Sequence, residues 1–189
     1  MKKILVTGGA GYIGSVLVGV LLENDYQVRV IDNLSFGGES LLAYWYDPMF
    51  SFTKGDLTKA SDIDRVLADF KPDAVVHLAA IVGDPACAKQ PDLARKINWE
   101  ASRDLFEKVK SFGCSKFVFS STCSNYGKMA DGGGYVDENS PLAPVSLYAE
   151  TKVQFEEYIL KISERKEGFC PVSYGFQLFM ASLHACVLI

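Results

Sequence analysis

A tyrosine and a lysine lie four residues apart in the segment YAETK, which covers residues 148–152. On a helix this spacing places both side chains on one face. An ammonium group close to a phenol favours the phenolate and lowers the phenol pKa, which makes a tyrosine usable as a base near neutral pH. The spacing therefore predicts that Tyr148 is a catalytic base and Lys152 its partner, although the same spacing also occurs on ordinary solvated helix faces.

Two other segments favour the catalytic interpretation. The segment SSTCSNYG, residues 120–127, places several hydroxyl groups at the end of a predicted strand. The segment TGGAGYIG, residues 7–14, lies where the first predicted strand turns into the first predicted helix. Such a glycine-rich turn lets the backbone approach a pyrophosphate, and the helix N-terminus offers free N–H groups to the phosphates. We therefore expect the tyrosine–lysine pair to act beside a bound dinucleotide.

The residues around this turn predict which dinucleotide binds. The candidate cofactor-binding residues of the loop are Gly8, Gly11, Tyr12, Ile13 and Gly14. Asp32 lies 18 residues after the last of them, at the end of the second predicted strand. A carboxylate there accepts ribose hydroxyls and repels a 2′-phosphate, so NAD is preferred over NADP. The alternative is a structural turn followed by a strand-end aspartate.

Predicted strands and helices alternate along the chain. The strand-like segments are 2–9, 27–33, 50–56, 72–80 and 115–123, and the helical ones are 14–26, 60–70, 91–113 and 147–166. A serine N-cap is expected to open the helix at 60–70, and Gly113 suits the C′ position of the helix before it. The turn-rich segment 127–146 is predicted to be a loop. This order predicts an α/β fold with a Rossmann-type, doubly wound parallel sheet and helices on both faces.

Composition narrows the class of protein. The 189 residues suit one domain, and a net charge of −4 with a pI of about 5.2 gives no basic face for nucleic acid. Five cysteines form no C-x-x-C pair, which favours a reduced, cytoplasmic protein without a metal site. The glycines that follow the short N-terminal apolar run are incompatible with a signal peptide.

The motifs together resemble one family of enzymes. They are TGGAGYIG, DNLS at 32–35, GDL at 55–57, HLAA at 77–80, Asn98, SSTCSNYG and DENSPLAPVSLYAETK at 137–152. Their order and spacing, over residues 1 to about 170, resemble the extended short-chain dehydrogenase/reductases, in particular the NAD-dependent epimerase/dehydratase family. The resemblance implies NAD as cofactor, a nucleotide sugar as substrate and a homodimer in the intact protein.

The resemblance also implies roles for individual residues. Tyr148 matches the catalytic base, Lys152 its partner and a ligand of the nicotinamide ribose, and Thr122 the residue that hydrogen-bonds the reacting sugar hydroxyl. The remaining residues that match cofactor-binding positions of the family are Asn33, Ser35, Asp56, Leu57, Leu78, Ala79, Ala80 and Asn98. Asp56 and Leu57 would flank the adenine.

Two positions depart from the dehydratase branch of this family. That branch has an acidic pair after the threonine, whereas this chain has Cys123 and Ser124. Epimerisation or simple redox chemistry is therefore favoured over dehydration, with a dehydratase or a reductase as the second alternative. A non-catalytic dinucleotide-binding sensor or scaffold is the first alternative, although such a protein has no need of the full catalytic set. His77 is expected to be structural, and Cys123 to pack without acting as a nucleophile.

The last segment, residues 172–189, does not fit the family. It contains no Asp, Glu, Lys or Arg. One allowed coding of these residues, read from the third base of the Val172 codon, gives ILRFSTVYGLSPRMRFD, which resembles the missing family segment. The expectation is a cofactor-binding domain at 1–171, followed by a frameshifted tail and lacking the substrate domain, so that this chain is inactive. A native tail is the alternative.

The tail is also expected to behave differently along its length. VSYGFQLF, residues 172–179, has β-compatible residues where the sheet expects its next strand, and MASLHACVLI is expected to be exposed. A membrane anchor is disfavoured, because the apolar run is short and contains Gln177 and His184.

Overall fold

The structure, a computed structural model, describes residues 2–127, 140–163 and 170–174. Within these residues one sheet holds six parallel strands in the spatial order β3-β2-β1-β4-β5-β6. The strands are β1 (Lys3–Thr7), β2 (Gln27–Asp32), β3 (Phe50–Lys54), β4 (Ala74–His77), β5 (Lys116–Ser120) and β6 (Cys170–Tyr174). The predicted doubly wound parallel sheet is confirmed.

Helices cover both faces of the sheet. They are α1 (Tyr12–Glu23), α2 (Ala60–Phe70), α3 (Asp84–Lys89), α4 (Pro91–Arg95), α5 (Ser102–Ser111) and α6 (Leu147–Ser163). Short 3₁₀ segments, Glu39–Tyr44 and Cys123–Tyr126, follow β2 and β5. The short helix α3 and both 3₁₀ segments were not predicted from the sequence.

Alternation along the strands divides the core into two layers. One layer contains Leu5, Val75 and Phe117, packed against α2, α5 and α6. The other contains Val6 and residues such as Val76 and Val118, packed against α1 and the 3₁₀ segment after β2. Because successive side chains of a strand point to opposite faces, each central strand supplies both layers, as a doubly covered sheet requires.

The helix predicted at 91–113 is interrupted. Residues Lys96–Ala101, between α4 and α5, form a π-helical segment that contains Asn98. Gly113 has a φ of 81°, directly after the cap residue Phe112, which confirms its predicted place. The serine N-cap predicted for α2 was wrong: Lys59 is the cap residue, and Ser61 lies inside the helix.

The structure describes only part of the last predicted helix and of the predicted tail. The helix predicted at 147–166 is described to Ser163, and residues 164–166 lie outside the described residues. β6 pairs with β5, so part of the strand expected near residue 172 is present, beginning earlier than expected. Most of the predicted loop at 127–146 and the tail from residue 175 also lie outside the described residues.

Candidate active site

The order of the strands reverses between β1 and β4, which lie side by side at the centre of the sheet. In doubly wound sheets ligands bind outside the carboxyl ends of the strands at such a point. The loop after β1 contains the glycine-rich turn, and the residues after β4 are Leu78, Ala79 and Ala80. Both predicted cofactor segments therefore border one crevice.

The glycines of the turn are required by close backbone packing. Gly8 has a φ of 72°, and a Cβ built on it would lie 2.6 Å from the backbone nitrogen of Ala79. A Cβ on Gly14 would lie 2.5 Å from the carbonyl oxygen of Gly8. The N-terminus of α1, which starts at Tyr12, has no side-chain cap. The first turn, including Tyr12 and Ile13, thus presents a helix N-terminus of the kind that binds phosphate.

Asp32 lies at the end of β2, where its carboxylate contacts the glycine-rich turn. Its Oδ2 accepts a hydrogen bond from the Ala10 backbone N–H at 3.1 Å, and its Oδ1 accepts one from the Leu34 N–H at 2.8 Å. These bonds fix the carboxylate beside the glycine-rich turn. Each oxygen can accept a further hydrogen bond, so the group is suited to bind hydroxyls as well.

The other residues predicted around the adenosine stabilise local turns. The Asn33 Oδ1 accepts hydrogen bonds from the backbone N–H and the hydroxyl of Ser35. The Asp56 Oδ1 likewise accepts from the backbone N–H and the hydroxyl of Thr58. Leu57 is buried and belongs to the core layer that contains α2. Its side chain therefore packs inside the protein, so only its backbone is left for a ligand.

Asn98 joins the crevice to α6. Its amide group accepts a hydrogen bond from the Ile81 backbone N–H at 2.8 Å and donates one to the Ile81 carbonyl at 3.0 Å. The same amide nitrogen lies 3.4 Å from the Thr151 hydroxyl on α6. The side chain is buried. Asn98 therefore fixes the residues that follow Leu78–Ala80 and connects them to the helix that contains Tyr148.

Thr122 and Tyr148 are brought together, as the sequence predicts. Both are buried, and the Thr122 hydroxyl lies close enough to the phenol that its hydrogen bonding lowers the phenol pKa. The Thr122 Oγ1 also accepts a hydrogen bond from the Ser124 N–H at 3.2 Å, which caps the 3₁₀ segment after β5. Tyr148 packs against Cys87 and Ala94 from α3 and α4.

Lys152 lies one turn further along α6 and is buried. Its Nζ donates a hydrogen bond to the Ser120 carbonyl at 3.0 Å and lies 4.6 Å from the centre of the Phe119 ring. Burial lowers the pKa of Lys152 to about 8, against the opposing effects of Cys87 and Glu156. The ammonium is therefore still protonated near neutral pH.

The lowered phenol pKa predicted from the sequence is wrong for this structure. The pKa of Tyr148 is raised, chiefly because burial disfavours the phenolate. Cys87, Cys123 and Asp84 raise it further, and the hydrogen bond from Thr122 is the one cause that lowers it. The Lys152 Nζ lies 6.0 Å from the Tyr148 ring centre, which leaves burial as the larger effect.

His77 is structural, as expected. Its Nδ1 lies 2.7 Å from the Thr7 hydroxyl and its Nε2 2.9 Å from the Ser102 hydroxyl, and phenylalanine rings surround it. Burial, assisted by Lys152, lowers the pKa of His77 to about 3. The packing role expected for Cys123 is wrong, because that side chain is exposed at the start of its 3₁₀ segment.

Sequence reasoning missed Glu156, which follows Lys152 by one helical turn. Its carboxylate accepts hydrogen bonds from Ser121 and Asn125 on either side of Thr122, and from Ser173 on β6. The available signal was the spacing: Tyr148, Lys152 and Glu156 recur every four residues, so that they share one face of α6.

Two features are absent from residues 2–127, 140–163 and 170–174, the part of the chain that the structure describes. None of the helices there is long and apolar enough to cross a membrane. No cluster of three or more histidine, cysteine or acidic side chains there is arranged to hold a metal ion.

Comparison with known proteins places this geometry in a family. The sequence model of the NAD-dependent epimerase/dehydratase family matches residues 4–177. The chain belongs to this family. A UDP-glucose 4-epimerase from Rhizobium meliloti is 38% identical over 151 residues, which are 80% of this chain and 44% of that protein. A dTDP-glucose 4,6-dehydratase from Neisseria meningitidis is 33% identical over 171 residues, 84% of this chain and 48% of the relative.

Solved structures of this family share the fold. The UDP-glucose 4-epimerase of Thermus thermophilus in complex with NAD matches with a TM-score of 0.80 and 33% identity, over 90% of this chain and 53% of the other. The UDP-Glc/GlcNAc 4-epimerase of Campylobacter jejuni matches with a TM-score of 0.86 and 32% identity, over 93% and 53%. The chain therefore spans about half the length of the relatives it matches.

Proposed function

We propose that this chain is the cofactor-binding domain of an NAD-dependent nucleotide-sugar epimerase, with Tyr148 as the acid–base residue. The observation that carries the proposal is that Thr122 and Tyr148 are buried beside each other, with the buried Lys152, bonded to the Ser120 carbonyl, one helical turn away. The three side chains lie on β5, its following turn and α6, and Asn98 connects them to the crevice of the sheet. A binding protein without catalysis has no use for this combination.

The residues of the crevice fit NAD. Gly8 and Gly14 let the turn pack closely against neighbouring backbone where a side chain would clash, and the uncapped N-terminus of α1 is suited to bind a pyrophosphate. The Asp32 carboxylate, held by two backbone N–H groups, would accept ribose hydroxyls and repel a 2′-phosphate. Lys152 would donate to the nicotinamide ribose.

The proposed chemistry assigns one proton to Tyr148. NAD, when bound, supplies a nicotinamide that accepts and returns a hydride at the sugar carbon. The Tyr148 phenolate accepts the proton of the sugar hydroxyl during oxidation and gives it back to the same oxygen during reduction. Thr122 orients that hydroxyl, and the Lys152 ammonium stabilises the phenolate. Burial holds the pKa of the phenol high, and Thr122 acts against that effect.

Epimerisation is proposed rather than dehydration because acidic side chains are missing after Thr122. Elimination of water from a sugar needs a proton donor and a proton acceptor besides the tyrosine. Cys123 and Ser124 occupy the two positions, and both are exposed. The same site leaves the identity of the nucleotide sugar open, and the substrate and a homodimeric state of the whole protein belong to the proposal.

We also propose that residues from Val172 onward are read in a shifted frame. The shifted reading ILRFSTVYGLSPRMRFD supplies the arginine-bearing segment that resembles the family, whereas residues 172–189 contain no Asp, Glu, Lys or Arg. Resequencing the gene around the codon for Pro171 tests this directly. An unaltered reading frame in independent sequences of the gene would remove the proposal.

The function is tested by binding and by turnover. We expect the chain to bind NAD more tightly than NADP in titrations followed by calorimetry. A protein with the frame restored and its following residues present should interconvert one member of a panel of nucleotide sugars. Tyr148→Phe should lower kcat by about 10²–10⁴-fold with NAD affinity nearly unchanged. The control is Tyr158→Phe, which removes another tyrosine hydroxyl of α6, one that is bonded to Glu107 on α5.

Three outcomes decide against parts of the proposal. Tighter NADP binding would refute the role of Asp32. Wild-type rates in Tyr148→Phe would refute the mechanism. NAD binding without turnover of any sugar by the frame-restored protein would favour the sensor or scaffold.

A further inference from the structure

The Glu156 carboxylate lies at a junction of three chain segments. Its Oε2 accepts hydrogen bonds from the Ser121 hydroxyl at 2.7 Å and the Asn125 side-chain N–H at 2.8 Å. Its Oε1 accepts one from the Ser173 hydroxyl at 2.8 Å. The Asn125 amide also donates to the Ser121 hydroxyl at 2.9 Å, which closes a triangle. One acidic side chain on α6 therefore holds the turn after β5 and the strand β6.

This junction encloses Thr122. Ser121 directly precedes it in sequence, and Asn125 is the third residue of the 3₁₀ segment that Thr122 caps. Lys152, one turn before Glu156, donates to the carbonyl of the next residue upstream, Ser120. The ammonium and the carboxylate of one helix face thus fix the backbone on both sides of Thr122. The position of its hydroxyl relative to Tyr148 depends on these bonds.

We propose that Glu156 is a positioning residue, which aligns Thr122 with Tyr148 by holding Ser121 and Asn125 against α6. This inference rests on the proposed function for its catalytic meaning. The alignment itself is a property of the folded chain and can be measured without substrate or cofactor. Hydrogen bonds to a charged acceptor are stronger than those between neutral groups, which makes a carboxylate effective in this role.

The phenol of Tyr148 reports the alignment. Its pKa is raised by burial and by Cys87, Cys123 and Asp84, and it is lowered by the hydrogen bond to Thr122. Losing that bond must therefore raise the pKa further. The Lys152 ammonium lies 6.0 Å from the ring centre, and the Glu156 charge acts on Lys152 by raising its pKa. The test must therefore separate the effects of the Lys152 and Glu156 charges on the Tyr148 pKa from the effect of the Thr122 hydroxyl.

The experiment follows the ¹³Cζ resonance of Tyr148 in tyrosine-labelled chain as the pH rises from 8, with Tyr148→Phe to identify the signal. Thr122→Val sets the shift that corresponds to loss of the hydrogen bond. Glu156→Ala removes the junction, whereas Glu156→Gln keeps an oxygen for Ser121 and Asn125 without the charge. Glu157→Gln makes the same charge change one residue away, at an exposed side chain paired with Lys161. Ser173→Ala removes only the bond to β6.

We expect Glu156→Ala to shift the Tyr148 titration upward by at least half of the shift seen in Thr122→Val. Glu156→Gln should restore most of the wild-type behaviour, and Glu157→Gln and Ser173→Ala should match the wild type. Circular dichroism at each pH establishes that the variants are folded. Ser121→Ala removes one of the two links to the turn and should shift the titration in the same direction, which keeps the test decisive if Glu156→Ala does not fold.

An unchanged Tyr148 titration in folded Glu156→Ala, or in Ser121→Ala if the former is unfolded, would overturn the inference. An upward shift in Glu156→Gln equal to that in Glu156→Ala would also overturn it, because the effect would then come from the Glu156 charge acting through Lys152. Absence of sugar turnover in the frame-restored protein leaves this readout intact, so failure of the proposed function and failure of the positioning role give different results.

Discussion

At the residue scale, the candidate site contains a lysine ammonium whose charged form is disfavoured by burial. Lys152 is surrounded by Phe119, Tyr148 and the buried Cys87, and among the described residues its ammonium has one hydrogen-bond acceptor, the Ser120 carbonyl. Transfer of a charge from water to such surroundings is costly, which is why the pKa of Lys152 falls to about 8. Retaining a buried ammonium at this cost is consistent with a functional role.

Lys152→Met should therefore stabilise the fold. Because the folded-state pKa of about 8 lies below the ordinary value of 10.5, the penalty is complete below pH 8 and disappears as the pH rises towards 10.5. At pH 7 we expect the free energy of unfolding in urea to rise by about 1–3 kcal/mol, after the lost hydrogen bond is deducted. Lys161→Met, at an exposed position on the same helix, should leave it unchanged. A destabilised Lys152→Met at pH 7 would contradict the argument.

His77 predicts the response to acid. Its pKa is near 6.5 in the unfolded chain and about 3 in the folded one, so the unfolded state binds the proton first and stability falls as the pH drops below 6.5. Between pH 6.5 and 5 the loss should be about 1.5 kcal/mol in urea unfolding. His77→Gln, which cannot titrate, should lose less over the same range. His184 is common to both chains, so the difference isolates His77.

At the scale of the elements, Asn98 explains why the helix predicted at 91–113 has a π-helical segment. The amide makes two hydrogen bonds to the Ile81 backbone, and the π-helical turn from Lys96 lies where that side chain faces the crevice. π-bulges occur frequently at functional sites, which agrees with its position between the cofactor segment and α6.

Asn98→Ala should destabilise the chain by about 2–3 kcal/mol, because the half-buried Ile81 N–H loses its acceptor and the Ile81 carbonyl keeps only the weak Cys87 thiol donor. Urea unfolding measures this, and NAD titration measures the accompanying loss of the crevice. Asn24→Ala, which removes a single exposed bond to the Val20 carbonyl, should cost about 1 kcal/mol or less. Equal losses in the two variants would show that Asn98 does not organise the crevice.

The elements that the sequence predicted are those with a local pattern. Strand alternation, helical spacing and the glycine-rich turn predicted β1 to β5 and the four long helices. The Thr122–Tyr148–Lys152 set was predicted from motifs that resemble a family. Glu156 was missed because its partners Ser121, Asn125 and Ser173 are distant in sequence and become neighbours only in the folded chain. The raised pKa of Tyr148 was missed for a related reason, since burial has no signature in a four-residue spacing.

At the scale of the whole molecule, β6 is an edge strand within the described residues, since its one strand partner there is β5. Parallel pairing uses backbone groups and tolerates many side chains, so a strand can form at this place even in a shifted reading frame. Packing of the side chains is more demanding, since a core must be filled closely. Pairing of β6 is therefore compatible with the proposed frameshift.

Restoring the frame after Pro171 should raise the melting temperature, because the restored side chains belong to the sequence pattern that the sheet was selected to pack. Differential scanning calorimetry of both proteins, with size-exclusion chromatography, provides the measurement. The present chain should also self-associate more readily, as exposed apolar segments do. Equal melting temperatures, with a monomeric present chain, would contradict the frameshift proposal.

The reversal of strand order between β1 and β4 also determines the order in which the sheet can form. Ile4 pairs with Val28, and Val28 pairs with Phe50, so β1, β2 and β3 join segments that are close in sequence. Ile4 also pairs with Ala74 on β4, which lies much later in the chain. Because closing a longer loop costs more entropy and slows folding, we expect β1–β3 to form a nucleus to which β4, β5 and β6 are added. Pulsed hydrogen exchange should then protect the amides of β2 before those of β6. The half of the crevice that contains the glycine-rich turn would then be assembled while α6 is still unfolded.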